Sequence, residues 1–183
     1  MIGGTKVKRI LTRLHLFGIY RRFVLFLTNK IFCGTVPRNF EIKRKLLISI
    51  GYKIGKNTKI VAPIECNANL IIGNNCWIGK NFNVYGNGTL IIGDNCDIAP
   101  EVTVLTGGHK IGDFLRRAGT GESYTIHIGD GVWIGAHSTI LNNTTIGNSS
   151  VVAACSCVVK DVEKNVIVGG VPAKRIKEIV DNA

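Results

Sequence analysis

The sequence predicts an all-β solenoid, a parallel β-helix of about five coils with helical segments at both ends. Three observations carry this. An aliphatic residue recurs every six positions, usually followed by glycine: Ile72-Gly73, Ile78-Gly79, Val84; Ile92-Gly93, Ile98-Ala99, Val104; Ile128-Gly129, Ile134-Gly135, Ile140, Ile146-Gly147, Val152, Val158. That period suits neither an isolated helix nor a hairpin sheet, and it gives each hexad one short strand and one corner. Four residues after the aliphatic position stands a mostly small one: Cys76, Cys96, Val102, Val132, Ser138, Thr144, Ser150 and Ser156. A wide and a narrow inward column together describe a thin three-sided prism. Finally, Ile54 to Ile72 and Ile128 to Ile146 are each eighteen residues apart, three hexads to a coil.

Two spacings break the frame. Ile72 to Ile92 is twenty, which places two extra residues near Gly86-Asn87-Gly88; Ile92 to Ile128 is thirty-six, one coil plus an eighteen-residue excursion. The prism therefore covers residues 51–163, with an excursion loop over 110–127. Loops that leave a repeat scaffold are where function concentrates. Residues 164–183 are expected to form a turn and a capping helix.

Residues 1–50 read as a basic helical segment. Val7, Ile10, Leu11, Leu14, Phe17, Tyr20, Val24, Leu27 and Ile31 follow helical spacing, with Lys6, Arg9, Arg13, Arg21 and Arg22 elsewhere around the helix. Eleven Lys or Arg against Glu41 alone give residues 1–45 a net charge of +10, out of +11 for the chain. Arg21-Arg22 interrupts the apolar stretch, which is too short to span a bilayer. Either the segment packs on its own solenoid or a neighbouring subunit with its basic face in water, or it touches an anionic membrane at the inner face. Nucleic acid is not the expected partner, because the solenoid is nearly neutral and has no Arg stripe with interleaved aromatics.

Six cysteines do not read as a disulfide framework, since the usual layout of a secretory signal is missing. Cys66, Cys76 and Cys96 fall in the inward columns, where cysteine acts as a small apolar residue. Cys155 and Cys157 lack CxxC spacing. A cytoplasmic setting is expected.

Of the four histidines, His15, His127 and His137 are most simply surface or packing residues. His109 differs, because it follows Thr106-Gly107-Gly108 where the excursion leaves the solenoid. Two glycines open the backbone beside it, and the excursion can cover it.

Three segments resemble the hexapeptide-repeat acetyltransferases, particularly the galactoside, maltose and polysaccharide O-acetyltransferases: residues 98–109 (IAPEVTVLTGGH), residues 128–136 (IGDGVWIGA) and residues 169–174 (GGVPAK). The resemblance covers roughly residues 50–180 and implies a left-handed coil, an exception to the right-handed crossover rule. It also implies a homotrimer with sites between subunits, acetyl-CoA as acyl donor, no metal, and His109 as general base on a sugar or glycan hydroxyl. A neutral imidazole, with a reference pKa of about 6.5, can take that proton and gives typically about 10²–10⁴-fold. Gly135, Ala136 and Ala154 would leave room for the pantetheine arm, with Gly135-Ala136 offering a backbone donor to the oxyanion. Lys160, Lys174 and Lys177 match the family's basic positions near the CoA phosphates. Trp133 is expected at the ligand groove or an interface, Trp77 at an interface.

For the acceptor, Asn83 and Tyr85 on the coil below, with Arg116 and Tyr124 of the excursion beside Asp113, Arg117 and Glu122, form a polar set suited to a hydroxylated substrate. Residues 1–45 hold no counterpart of the galactoside enzymes' sugar-binding carboxylate, which favours a surface-glycan acceptor. Glu101 or a backbone carbonyl would orient His109. The rivals are a serine or antibiotic O-acetyltransferase, a metal hydratase like the γ-carbonic anhydrases, and a non-catalytic trimeric scaffold.

Overall fold

The computed structural model of the chain describes residues 16–180. Within them the chain winds as a three-sided parallel solenoid. The first face stacks Lys53–Ile54, Asn69–Ile72, Thr89–Ile92, Thr125–Ile128 and Thr145–Ile146. The second stacks Lys59–Ile60, Trp77–Ile78, Asp97–Ile98, Trp133–Ile134, Val151–Val152 and Val166–Gly169; the third stacks Ile64–Cys66, Phe82–Tyr85, Thr103–Leu105, Thr139–Ile140 and Cys157–Val158. That is five full coils and part of a sixth. The register follows the sequence spacing: Ile54 pairs with Ile72, Ile72 with Ile92, Ile92 with Ile128 and Ile128 with Ile146.

Both inward columns are buried. The aliphatic leads Ile78, Ile98, Ile134 and Ile140 are fully enclosed, each contributing about 1.5–3 kcal/mol relative to exposure. The narrow column is equally buried, and its hydroxyls are satisfied by carbonyls of the next coil or of their own: Ser138 Oγ donates to the Ala153 carbonyl at 3.0 Å and Ser150 Oγ to that of Glu163 at 2.6 Å, while Ser156 Oγ donates back to Ala153 at 2.6 Å. A small hydroxyl therefore fills a narrow site without leaving an unpaired polar atom.

The corners explain several residues that otherwise look functional. Most chain turns use a left-handed residue just before the narrow position, as at Asn57, Asn75, Asn95, His137 and Cys155. Asparagine tolerates that conformation best among non-glycine residues. His137 and Cys155 are thus corner residues, and Cys66, Cys76 and Cys96 are core; all six cysteines are free thiols.

Two helices close the lower end. Residues 16–26 are α-helical and continue as a π-helical stretch, Leu27–Ile31; the second helix is Pro37–Ser49. Pro37 sits in the first turn, where its missing N–H costs nothing. Asn29 pairs like a strand with the open edge of the third face: its Nδ2 donates to the Ile64 carbonyl at 2.9 Å, and the Ile64 N–H donates to its Oδ1 at 3.0 Å. Lys43 is fully buried, its Nζ donating to the Gly34 carbonyl at 2.8 Å and lying 4.5 Å from the Phe40 ring centre.

Two expectations need correcting. The first helix does not turn its apolar line inward: Val24 and Thr28 are buried, Arg21 donates to the Tyr52 hydroxyl and the Cys66 carbonyl, and Phe17, Tyr20 and Ile31 are exposed. The Tyr52 hydroxyl donates to the Cys66 carbonyl at 2.7 Å, and Arg21 bonds both members of that pair at the solenoid edge. Val7, Ile10, Leu11, Leu14, Lys6, Arg9, Arg13 and His15 lie outside the described residues. At the other end there is no capping helix over the described residues; Lys174–Glu178 is a strand folded back antiparallel on Val166–Gly169, and it covers that sheet edge. Trp77, expected at an interface, packs edge-on against Phe40 of the second helix, with ring centres 5.8 Å apart.

Candidate active site

His109 lies on a hairpin that leaves the corner between the third and first faces. The excursion is not a loose loop: Gly107–Ile111 pairs antiparallel with Ala118–Ser123, and His109 stands opposite Gly121. Asp113 closes the apex turn by accepting from the N–H groups of Leu115 and Arg116 at 3.0 and 3.1 Å.

The two-residue slip at Gly86-Asn87-Gly88 and this excursion belong to one construction. A Cβ on Gly88 would lie 2.0 Å from the Tyr124 carbonyl oxygen and 2.6 Å from that of Thr106. Gly86, at φ +105°, brings its backbone against Gly107. The widened coil therefore seats the hairpin root, and only glycine allows the approach. Between them opens a cleft of about 500 Å³ lined by Gly86, Asn87, Gly107, Gly108, His109, Gly121, Glu122 and Ser123. Its glycine walls leave His109, Asn87, Glu122 and Ser123 as the groups that can meet a ligand.

The imidazole is held by the hairpin itself. His109 Nδ1 is 2.9 Å from the Gly119 carbonyl oxygen. A carbonyl only accepts, so Nδ1 carries the proton and Nε2 keeps its lone pair when the ring is neutral. Glu101 does not orient it: that residue sits at a corner with φ +63° and accepts from Asn81. Beside His109, the Tyr124 hydroxyl donates to Glu122 Oε2 at 2.5 Å, and Lys110 Nζ is 3.5 Å from Oε1. That hydrogen bond holds the Glu122 carboxyl below its ordinary pKa, with Lys110 assisting against desolvation, and raises the Tyr124 phenol.

The remaining site residues divide. Tyr124 stands at the hairpin root and Arg116 at its exposed apex. The Tyr85 carbonyl accepts from the Thr106 N–H at 2.7 Å, so Tyr85 underlies the hairpin, but its hydroxyl turns to Glu65 at 3.3 Å. Asn83 is not gathered into this cleft. It lines a separate groove of about 510 Å³ beside Asn29, Lys30, Glu65 and Glu101.

Gly135, Ala136 and Ala154 come together at another corner, between the second and third faces. A Cβ on Gly135 would meet the Ala154 nitrogen at 2.4 Å, and the Cys155 N–H donates to the Ala136 carbonyl at 2.8 Å. At this corner the side chains are small, and Ala154 is exposed. Trp133 is 56 % exposed on the adjoining face. Its row continues through Val151 and Ile167 to Lys177. Lys174 pairs with Gly169, and Lys160 borders a small hollow with Glu163 and Arg175. Lys160, Lys174 and Lys177 are all exposed, so their ammonium groups are available to phosphates. Among the described residues no three His, Cys, Asp or Glu side chains converge as metal ligands.

Sequence reasoning missed Asn142. With Nδ2 as donor it bonds the carbonyls of Leu105 and Gly107 at 3.0 and 3.1 Å, tying the hairpin root to the next coil. The signal was present: Asn142 follows Ile140 as Thr106 follows Val104.

Residues 125–160 match the family described as bacterial transferase hexapeptide (six repeats). The galactoside O-acetyltransferase of Escherichia coli (strain K12) is 37 % identical over 147 residues, 79 % of this chain and 72 % of that protein. The putative colanic acid biosynthesis acetyltransferase WcaF of the same organism is 33 % identical over 138 residues, 74 % of each chain. Among solved structures, a galactoside acetyltransferase in complex with coenzyme A superposes with a TM-score of 0.70 at 29 % identity, over 92 % of this chain and 83 % of that one. A maltose O-acetyltransferase from Clostridium difficile 630 gives 0.74 at 30 %, over 91 % and 89 %. The coil is accordingly the left-handed parallel β-helix expected from the resemblance. By its hexads, its winding and its identity across most of its length, the chain belongs to the hexapeptide-repeat acetyltransferases.

Proposed function

We propose that this acyltransferase moves acetyl from acetyl-CoA to a sugar hydroxyl, with His109 as general base, in the synthesis of a cell-surface polysaccharide. The observation that carries the reading is the His109–Gly119 hydrogen bond, which leaves Nε2 with a lone pair at a glycine-walled cleft. Nε2 takes the hydroxyl proton as the new C–O bond forms on the thioester carbonyl. As the tetrahedral intermediate collapses, the C–S bond breaks and the imidazolium returns its proton to the departing sulfur, so that free CoA thiol is released. A backbone N–H near Gly135-Ala136 supplies the oxyanion donor.

The His109 cleft and the Ala136–Ala154 wall occupy two different corners of one prism, with the third face between them. A second protomer laid alongside brings a wall against a cleft, which supports a trimer with three shared sites. Lys160, Lys174 and Lys177 then meet the CoA phosphates as point charges, and Trp133 borders the groove. The polar cleft with Glu122 and Asn87, Glu122 being held by Tyr124, suits a hydroxylated acceptor, and Arg116 at the exposed hairpin apex is a further contact for a longer one. The polysaccharide role is supported by the likeness to WcaF, whose name places it in colanic acid biosynthesis. Use of acetyl-CoA and the free cysteines support a cytoplasmic setting. Incubating the protein with acetyl-CoA and a panel of sugars, nucleotide sugars, serine and chloramphenicol, with thiol release as readout, tests the reading. Turnover on serine or chloramphenicol but on no sugar would reject it.

A further inference from the structure

The first helix presents to solvent the face that a soluble helix normally buries. Leu16, Ile19, Tyr20, Phe23 and Phe26 follow one another at helical spacing on its outer side, and Phe23 and Phe26 are 56 % and 52 % exposed. Its inner side is already occupied by Val24, Thr28, Arg21 and Asn29, which dock it to the edge of the solenoid. The apolar stripe is therefore a second surface, made of large aromatic and aliphatic side chains on a helix that is fixed in place. Arg22 and Lys30 are exposed on the same helix, and no Asp or Glu occurs before Glu41. No helix among the described residues is long and apolar enough to cross a membrane.

We propose that this face lies on an anionic lipid bilayer, with Phe23 and Phe26 in the headgroup–acyl boundary and the basic side chains on lipid phosphates. The physics is that of an interfacial amphipathic helix: an aromatic face for the boundary and a cationic flank for the surface potential. Charge chooses lipid over a second copy of this chain. The first 45 residues carry +10 and the remainder of the chain +1, so the same face of another copy repels and the solenoid, nearly neutral as a whole, carries no net negative charge to attract it. The aromatic stripe likewise separates this surface from a polyanion site, which needs no apolar contact.

The test uses the full chain and vesicles, and it is independent of acetyl transfer. Flotation with phosphatidylcholine vesicles containing about one-third phosphatidylglycerol is compared with pure phosphatidylcholine, then repeated with Phe23→Ser/Phe26→Ser and with Arg22→Gln. Expected are binding to the anionic vesicles alone, roughly tenfold weaker partition for the double variant, and weakening by about 0.5 M salt. Circular dichroism and oligomeric state of the double variant should match the parent. Failure of the parent to float with anionic vesicles overturns the proposal, as does undiminished binding by the double variant. A change of oligomeric state in the double variant also overturns it, because the stripe would then be a contact between protomers.

Discussion

His109 Nδ1 donates to the Gly119 carbonyl across the hairpin at 2.9 Å, so a main-chain atom, not a carboxylate, sets the ring's tautomer. An acidic partner would stabilise the imidazolium as well as orient the ring; a carbonyl chiefly orients it. Removal of the imidazole is therefore expected to lower kcat by about 10²–10⁴-fold in His109→Ala, with the melting temperature nearly unchanged because the side chain is exposed. Thiol release and thermal unfolding measured on one preparation check this, and near-parental turnover would remove His109 as the base.

Gly88 is the structural counterpart of that residue. Its Cβ would collide with two backbone oxygens, neither of which can swing aside. Gly88→Ala is expected to destabilise the protein by about 1–3 kcal/mol by overpacking and to reduce activity by displacing the hairpin root. Gly121→Ala is the control, since its nearest neighbour would be at 4.0 Å. The shift in urea midpoint for the two variants decides the matter.

In the proposed site, Tyr124 and Glu122 shape the acceptor side of the cleft. Tyr124→Phe removes the hydrogen bond that holds the Glu122 carboxyl low. The expected result is a several-fold higher KM for the acceptor, roughly the effect of one lost hydrogen bond, with KM for acetyl-CoA unchanged. Steady-state kinetics with each substrate varied in turn will show it; an equal rise in both constants would count against this assignment.

Ala154 faces solvent on the wall assigned to the acyl carrier, so a larger side chain there costs the isolated chain nothing. Ala154→Leu is expected to raise KM for acetyl-CoA by about tenfold or more, without a change in melting temperature. Unaltered KM with a bulky residue at this position would move the donor groove elsewhere.

Lys43 predicts a pH dependence of stability. Burial pushes its pKa down from about 10.5, partly offset by the nearby Cys33 thiol. The unfolded chain then binds more protons than the folded one between the two values, so stability rises as pH climbs from the depressed folded value towards 10.5. Below that window the charged ammonium is held at a cost, offset in part by the Gly34 carbonyl and the Phe40 ring. Lys43→Met is expected to flatten this alkaline rise in urea-unfolding free energy. A slope equal to that of the parent would place the proton elsewhere.

Much of this molecule could be read along the chain. The hexads gave the inward leads from Ile54 to Val158, the narrow column from Cys76 to Ser156, the coil with two extra residues and the point where His109 leaves the solenoid. Each assignment depends on a neighbour one coil away at a nearly fixed spacing, so a local count suffices. The Gly86-Asn87-Gly88 slip and the excursion were legible separately, but their contact through Gly88 and Tyr124 was not. The slot of Asn142 was legible, but its bonds to the Leu105 and Gly107 carbonyls were not, because those partners lie one coil away only after the excursion has been folded out of the count.

By itself the sequence determined the prism, its register and the one histidine set apart from it, because burial repeats with the period of the winding. Only the tertiary structure decided that the excursion is a hairpin with Gly119 steering the imidazole. It alone showed that Lys174–Glu178 returns as a strand, and that the first helix docks through Arg21 and Asn29 while its aromatic side faces out. Those outcomes are set by which backbone edges and carbonyls lacked partners elsewhere in the fold, and unpaired groups of that kind leave no periodic trace in a chain.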